Sequence, residues 1–508
     1  MANAVISLRS AVARAAFASG AVEMVSRALT IVLSIAVARV LEPREVGLLG
    51  LGVIVAGILS VVTACAETAG VIGRSGGTDP QYAWTSMVVR GVATGGLLAL
   101  APLFLPAVVH LLAGKESSGA ELMGLIHVLL WQLVLDLAAT YPRVLLQRRL
   151  SLTPLAGAGL VQIIAHVGLS LVLLRLGYGA LGVATSTLVA GGLSGALLWF
   201  RFLASAGPRW DGGIKASPWK QTAASTARVF VGSFVGYLNG RVDNLLVAGV
   251  LGPAAMSFYG MAWSASRTPV WILHQALGLV LVPMLARALS DAERMERIIL
   301  ESLRHSYLLL APACALLFVT ADSLVVTMLG MKWLPMVPVL QIMSVTVLVG
   351  PLLTASNGLL VATDRGHLTS LATGAQLVTL VLTVGPLAAW WGILGAALGD
   401  LVAAAVLTAT LIALCRRSEP AVNCWTMSSV LLPVVAAVCA GSLASSLPTE
   451  LPPGLRRLAI EVSVALAGYV ATIWLLGGWG RLMELIGVMR DVARRSASPV
   501  AVSPGAER

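Results

Sequence analysis

About fourteen stretches of roughly twenty apolar residues, joined by short polar turns, leave this chain few ways to fold. A helix needs about 20 predominantly apolar residues to cross the hydrocarbon core of a bilayer. The stretches cover residues 17–40, 46–71, 84–111, 122–146, 152–174, 178–202, 223–250, 255–285, 303–329, 336–362, 368–389, 393–415, 427–443 and 458–476. A soluble protein is about a quarter charged. This chain of 508 residues is 11% charged and 58% hydrophobic, too little polarity to clothe several soluble domains. The expected fold class is an all-α polytopic membrane protein with about 14 transmembrane helices.

The net charge of +11 raises nucleic acid as a partner. The basic residues fall between apolar stretches, so the reading is a bilayer and no nucleic acid. Cys65, Cys314, Cys415, Cys424 and Cys439 show no CxxC or metal spacing. The histidines, among them His110, His127, His166 and His274, form no HExxH or HxH pattern. No metal and no cofactor is expected. Arg9 and Arg14 precede the first stretch as in a signal peptide, but no continuous apolar core precedes Ala16-Phe17-Ala18. The first stretch is read as a mature helix.

Lysine and arginine set orientation, because cytoplasmic loops are enriched in them. With the N-terminus in the cytoplasm, twenty-two fall on the cytoplasmic side, seven outside and five deeper within stretches. That bias of about three to one predicts an even number of spans and both termini in the cytoplasm. The Arg481–Arg495 segment reads as a surface helix on anionic lipid.

A repeat at an offset of about 210 residues organises the chain. Ala38-Arg39-Val40-Leu41-Glu42-Pro43 matches Ala248-Gly249-Val250-Leu251-Gly252-Pro253. Val108-Val109 with Lys115 matches Val325-Val326 with Lys332. Leu152-Thr153-Pro154-Leu155-Ala156 matches Leu368-Thr369-Ser370-Leu371-Ala372, and Gly179-Ala180-Leu181-Gly182 matches Gly392-Ile393-Leu394-Gly395. Four matches in one order predict two pseudo-symmetric six-helix lobes, a transporter architecture with the substrate site between the halves. The expected domains are a lobe over 1–203, a cytoplasmic linker over 204–221, a second lobe over 222–416, two further helices within 417–478 and a cytoplasmic tail over 479–508.

A charge deep in a span costs roughly 3 kcal/mol on insertion scales and usually faces a bundle interior or a wet cavity. Arg27, Asp136, Arg241, Asp243 and Arg267 sit nearest mid-span; Glu23, Glu67, Arg90 and Arg228 lie nearer the cytoplasmic ends. Asp400 and Glu461 complete the acidic set. Arg27, Arg241, Arg267 and Arg90 are read as a cationic cavity for an anion, with phosphate the best fit, since a guanidinium binds phosphate oxygens bidentately. The bland reading is structural pairing: Glu23 and Arg27 are four apart on one helix face, and an arginine near a helix end can snorkel. Asp243, two residues from Arg241, points elsewhere, towards another helix. Asp136, Asp243, Glu67 and Glu23 are the acids that would carry protons, bind an ion or act as counter-ions in the cavity. His274 with Gln275 reads as an interhelical hydrogen-bonding point.

Three segments resemble one family. Arg39-Val40-Leu41-Glu42-Pro43-Arg44-Glu45-Val46-Gly47 is similar to the close of the first helix in bacterial polysaccharide flippases. Asp243-Asn244-Leu245-Leu246-Val247-Ala248-Gly249-Val250-Leu251-Gly252 resembles their seventh-helix motif, and Leu329-Gly330-Met331-Lys332-Trp333 their segment before the tenth helix. Over roughly residues 10–415 the chain is thus similar to the polysaccharide transporter (Wzx-like) family of the multidrug/oligosaccharidyl-lipid/polysaccharide exporter superfamily. Gly249 departs from the pattern, since relatives often carry a basic residue there. The resemblance implies two lobes forming a V around a cavity that opens alternately to each side. It also implies an undecaprenyl-diphosphate-linked oligosaccharide as substrate, flipped from cytoplasmic to periplasmic leaflet for exopolysaccharide, O-antigen or capsule assembly. Membrane lipids, a polysaccharide polymerase and glycosyltransferases are the implied partners.

Three other readings compete: a flippase for a peptidoglycan lipid precursor, a cation-coupled multidrug exporter and a membrane glycosyltransferase, polymerase or ligase. The exporter would favour an acidic, aromatic cavity, whereas the deep charges here lean towards arginine. The enzyme needs a substantial loop carrying a catalytic acid or base, and the outer loops around Lys115 and Lys332 are short. No nucleophile–base arrangement or phosphate-binding glycine loop is present in the sequence, so no catalytic residue is expected.

Overall fold

The computed structural model describes residues 2–72, 80–113, 118–149, 151–206, 216–418 and 457–471. Every regular element among them is a helix. The expected membrane helices appear as α1 (Ala2–Val40), α2 (Pro43–Ile72), α3 (Pro80–Ala113), α4 (Ser118–Arg148), α5 (Leu152–Arg175) and α6 (Gly179–Ala206). There follow α7 (Ala216–Asn239), α8 (Val242–Leu251), α9 (Pro253–Ala286), α10 (Ala292–Val319) and α11 (Ala321–Met328). Then come α12 (Val337–Thr346), α13 (Gly350–Ala362), α14 (His367–Ser418) and a helix α15 over 457–471. Eight helices among the described residues are long and apolar enough to span a bilayer. The thirteenth expected stretch, over 427–443, and the 481–495 segment lie outside the described residues.

The surface is the inverse of a soluble protein's. Leu103 is 77% exposed and Trp390 75% exposed, and apolar area of this kind along a long apolar helix is what lipid covers. The interior is close-packed: Leu48, Leu51, Leu122, Ile126 and Leu145 are all buried. This is a multi-pass membrane protein.

Several of the expected stretches are broken or joined in the structure. The seventh expected stretch is two helices, α7 and α8, with a turn at Gly240 and Arg241. The ninth divides into α10 and α11 at Thr320. The eleventh and twelfth run on as α14, interrupted at Trp391 and Gly392. Gly179 and Gly392, matched by the repeat, take nearly the same left-handed φ, 58° and 62°. In that conformation a Cβ would crowd the following carbonyl oxygen, which glycine avoids. Pro43 and Pro253, also matched, each open a helix, at the position where the missing N–H costs nothing.

The resembling segments are structural devices. Glu42 precedes Pro43, and the Glu45 carboxylate reaches back to accept from the Glu42 N–H at 2.9 Å, half of a capping box. A Cβ on Gly47 would collide with the Pro253 carbonyl, so glycine permits that contact. Gly330 takes φ 103° and ψ 168°, a region nearly confined to glycine. It turns the chain so that Trp333, fully buried, packs edge-on against Phe258 of α9 at 5.6 Å.

The chain folds into two compact units. The first comprises residues 1–241 with Gly252–Ala254; the second comprises Val242–Leu251 and residues 255–508. In the first, α5 packs on α6 and α1, α4 on α2, α3 and α6, and α7 on α2 and α3. In the second, α8 packs on α14, and α10 on α12 and α13. The division falls at Arg241, later than the 204–221 linker expected from composition. The cause is α7: Tyr237 lies against Gly57 of α2 and its hydroxyl donates to the Ile54 carbonyl at 3.3 Å. In the second unit α15 is anchored by Arg457, which pairs with Asp322 at 3.9 Å and Glu461 at 2.8 Å. Tyr469 of α15 is buried and donates to the Leu308 carbonyl at 3.0 Å.

Candidate functional site

Among the described residues, each unit holds buried charge that the sequence singled out. In the first unit, Glu67 of α2 accepts from Arg90 of α3 at 2.6 Å and from Arg143 of α4 at 3.1 Å. Asp136 of α4 lies 4.0 Å from Arg90 and 3.8 Å from Arg143. Arg90 also donates to the Thr140 hydroxyl at 3.0 Å, and Gln132 donates to Asp136 at 3.3 Å. Asp136, Thr140 and Arg143 are spaced i, i+4, i+7, which puts them on one helix face. Two guanidiniums and two carboxylates give a formally neutral cluster tying three helices together. Arg90 is 2% exposed, whereas the Arg143 and Asp136 side chains stay about a quarter open.

In the second unit, Asp243 opens α8 and is buried. One oxygen accepts from the Asn244 backbone N–H at 2.8 Å and the Asn244 amide at 3.0 Å. The other accepts from the Tyr259 hydroxyl of α9 at 3.0 Å. Asp243 thus meets a partner on another helix, Tyr259 of α9. About two turns beyond Tyr259 along α9, Arg267 pairs with the buried Asp400 of α14 at 3.4 Å, and its guanidinium lies 5.0 Å over the Trp263 ring. The Arg267 side chain remains 37% exposed. A carboxylate on one side and a ring face on another fix the guanidinium while leaving donors of its fork outward. Such a group can hold an anion bidentately.

Of the remaining expected residues, Arg27 and Glu23 form the i, i+4 pair, at 3.2 Å, with both side chains about half exposed. Arg241 sits in the turn that breaks the seventh stretch and is counted with the first unit. The expectation that Arg241 and Arg267 belong together to the second half therefore does not match this division. The side chains of Arg228, His274 and Gln275 lie outside the described residues. Arg90, Glu67 and Asp136 come together; Arg267 and Asp243 lie in the other unit with Asp400.

Sequence reasoning gave no site role to Arg143, Tyr259 and Trp263, and quoted Asn244 only within the seventh-helix motif. Arg143 is one of the twenty-two basic residues that the charge bias puts on the cytoplasmic side, and its seven-residue spacing from Asp136 is a usable signal. Tyr259 and Trp263 carry no signal in one sequence, because an aromatic residue in an apolar helix is ordinarily packing.

These features define a class: an all-helical integral membrane protein of two compact units, each with buried charge. Solved structures share its fold. The Lipid II flippase MurJ in an inward closed conformation matches with a TM-score of 0.73 at 11% identity, over 90% of this chain and 98% of that one. An inward-facing multidrug resistance MATE family transporter of the MOP superfamily matches at 0.65 and 15%, over 79% and 96%. At such identities the likeness is one of fold alone.

Sequence takes the assignment further. Residues 36–338 match the family described as "Polysaccharide biosynthesis protein", and the chain belongs to that family. Two curated relatives are an uncharacterized membrane protein in the cps region of Klebsiella pneumoniae and the lipopolysaccharide biosynthesis protein WzxC of Escherichia coli (strain K12). The first is 27% identical over 176 residues, 34% of this chain and 36% of that protein. The second is 28% identical over 133 residues, 26% and 27% respectively. The matched region therefore spans about a third or less of each curated relative. The Wzx-like family resemblance read from the three segments holds.

Proposed function

We propose that this protein is a flippase that moves an undecaprenyl-diphosphate-linked oligosaccharide from the cytoplasmic to the periplasmic leaflet by alternating access. It would act in the bacterial inner membrane with both termini in the cytoplasm, supplying exopolysaccharide, O-antigen or capsule assembly. Family membership and fold support a polysaccharide-pathway transporter. The observation that carries the substrate class is Arg267, an intramembrane guanidinium fixed by Asp400 and Trp263 yet more than a third exposed. A cation presented this way inside a bilayer suits the diphosphate of a lipid-linked sugar. Arg27 and Arg241 are further cations of the proposed path. Arg90, by contrast, is enclosed by Glu67, Thr140 and Asp136, so its proposed part is to hold Glu67 and Arg143 in place. A polymerase and glycosyltransferases are the proposed partners in the same pathway.

The reading is tested by export in cells lacking the native gene. Arg267→Ala should insert normally and abolish polysaccharide output, while Arg267→Lys keeps a small fraction, because the ammonium lacks the planar fork. Full output from Arg267→Ala would overturn the assignment. Asp400→Asn should lower output less than Arg267→Ala, because the guanidinium loses its orientation and keeps its charge.

A further inference from the structure

At the end of the first unit where α3 begins and α4 and α6 finish, two consecutive arginines are braced on rings from different helices. The Arg148 guanidinium carbon lies 4.7 Å over the Tyr82 ring of α3. That of Arg149 lies 6.0 Å over the Phe202 ring of α6. We infer that this end binds the headgroup phosphate of an anionic glycerophospholipid of the surrounding bilayer, through Arg149 and Arg148. The inference is independent of the proposed transport activity.

The rings are rigid supports. Tyr82 is 5% exposed and Phe202 1% exposed. Phe202 packs with Ala83, Val144 and Leu145, and its ring meets Tyr141 at 5.6 Å and Trp199 at 6.0 Å. A guanidinium laid over a ring keeps the N–H donors around its edge in plane, the fork that matches phosphate oxygens. Arg148 ends α4 and Arg149 follows it, one lying over a ring of α3 and the other over a ring of α6.

Among the described residues the charge at this end is one-sided. Both described carboxylates nearby, Glu67 and Asp136, are engaged by Arg90 and Arg143. Arg149 and Arg201 are exposed, and among the described residues no carboxylate pairs with either. A favourable interaction of cations with the C-terminal carbonyls of α4 accounts for a basic residue here. It does not account for two arginines each lying over a buried ring of another helix.

The neighbours select a lipid over a soluble polyanion. Phe200 is 67% exposed and Leu203 50% exposed, on the turn of α6 that carries Arg201 and Phe202. Exposed apolar side chains beside exposed arginines mark the boundary between hydrocarbon and headgroups, where basic residues near a membrane surface bind anionic lipid.

The full chain, purified in detergent, is incubated with equal amounts of phosphatidylglycerol and phosphatidylcholine, and bound lipid is counted by native mass spectrometry. Phosphatidylglycerol should be favoured by roughly fivefold or more, the scale of a basic residue near an anionic surface. Arg149→Gln, at an exposed position, should remove most of the preference, and R148Q/R149Q should remove it. Phe202→Leu, which keeps both charges, should weaken it. An unchanged preference in R148Q/R149Q that elutes as the wild type does would overturn the inference. Displacement of phosphatidylglycerol by farnesyl diphosphate at equal concentration would overturn it too, assigning the site to a lipid-linked diphosphate. So would binding of inorganic polyphosphate with no preference between the two lipids.

Discussion

Arg90 of α3 and Arg267 of α9 both lie well inside long helices, and their surroundings give them different work. Arg90 is almost wholly enclosed and answered by Glu67 at 2.6 Å. Removing one partner of such a pair leaves an uncompensated buried charge, at about 3–5 kcal/mol. Glu67→Gln should therefore lower the melting temperature in detergent sharply, and R90L/E67L should recover part of the loss, read by thermal denaturation of the purified protein. A double variant no more stable than the worse single variant would show that the pair is not the source. Tyr259→Phe removes a single donor from buried Asp243. Leaving that oxygen unsatisfied should cost about 1–3 kcal/mol, again read as a loss of thermal stability. Arg267→Ala leaves the buried Asp400 without its partner, so it should lower the melt as well, and R267A/D400N should recover stability without recovering transport.

Helix boundaries followed backbone chemistry more closely than hydropathy. Gly392 turns α14 between the apolar stretches 368–389 and 393–415. Gly392→Ala should destabilise by about 1 kcal/mol or more, through a Cβ at a positive φ. Gly385→Ala, at an ordinary helical glycine of the same element with open space around it, should be neutral or stabilising; equal effects in thermal unfolding would contradict the distinction. The span pattern, the repeat and the turns at Pro43, Pro253, Gly179 and Gly392 were legible in the sequence because proline and glycine act locally. The helical extension Ala292–Leu303 was not. Its Met295, Ile299 and Leu303 are buried on one face, while Glu293, Arg294 and Arg297 keep the average polar. Nor was the membership of α7 in the first unit, since Tyr237 against Gly57 is a long-range contact that no local pattern announces. The charge clusters were half legible. Their acids and Arg90 stood out against apolar surroundings, whereas their aromatic and amide members did not.

At the scale of the molecule, the charge bias predicts one topology. Single cysteines placed at the two termini, in a chain whose own cysteines are replaced by alanine, should be labelled by a membrane-impermeant maleimide only after the cells are opened. Labelling of either terminus in intact spheroplasts would contradict the orientation. The central claim is that the family fold here moves a lipid diphosphate past fixed intramembrane arginines. It is tested most directly by reconstituting the purified chain into liposomes with a fluorescent undecaprenyl-diphosphate-linked oligosaccharide and following its accessibility to a membrane-impermeant quencher. The account predicts that labelled lipid in the protected leaflet becomes quenchable with the wild-type chain and stays protected with Arg267→Ala. Equal exchange by both proteins, or no exchange by a wild-type chain shown to be folded, would contradict it.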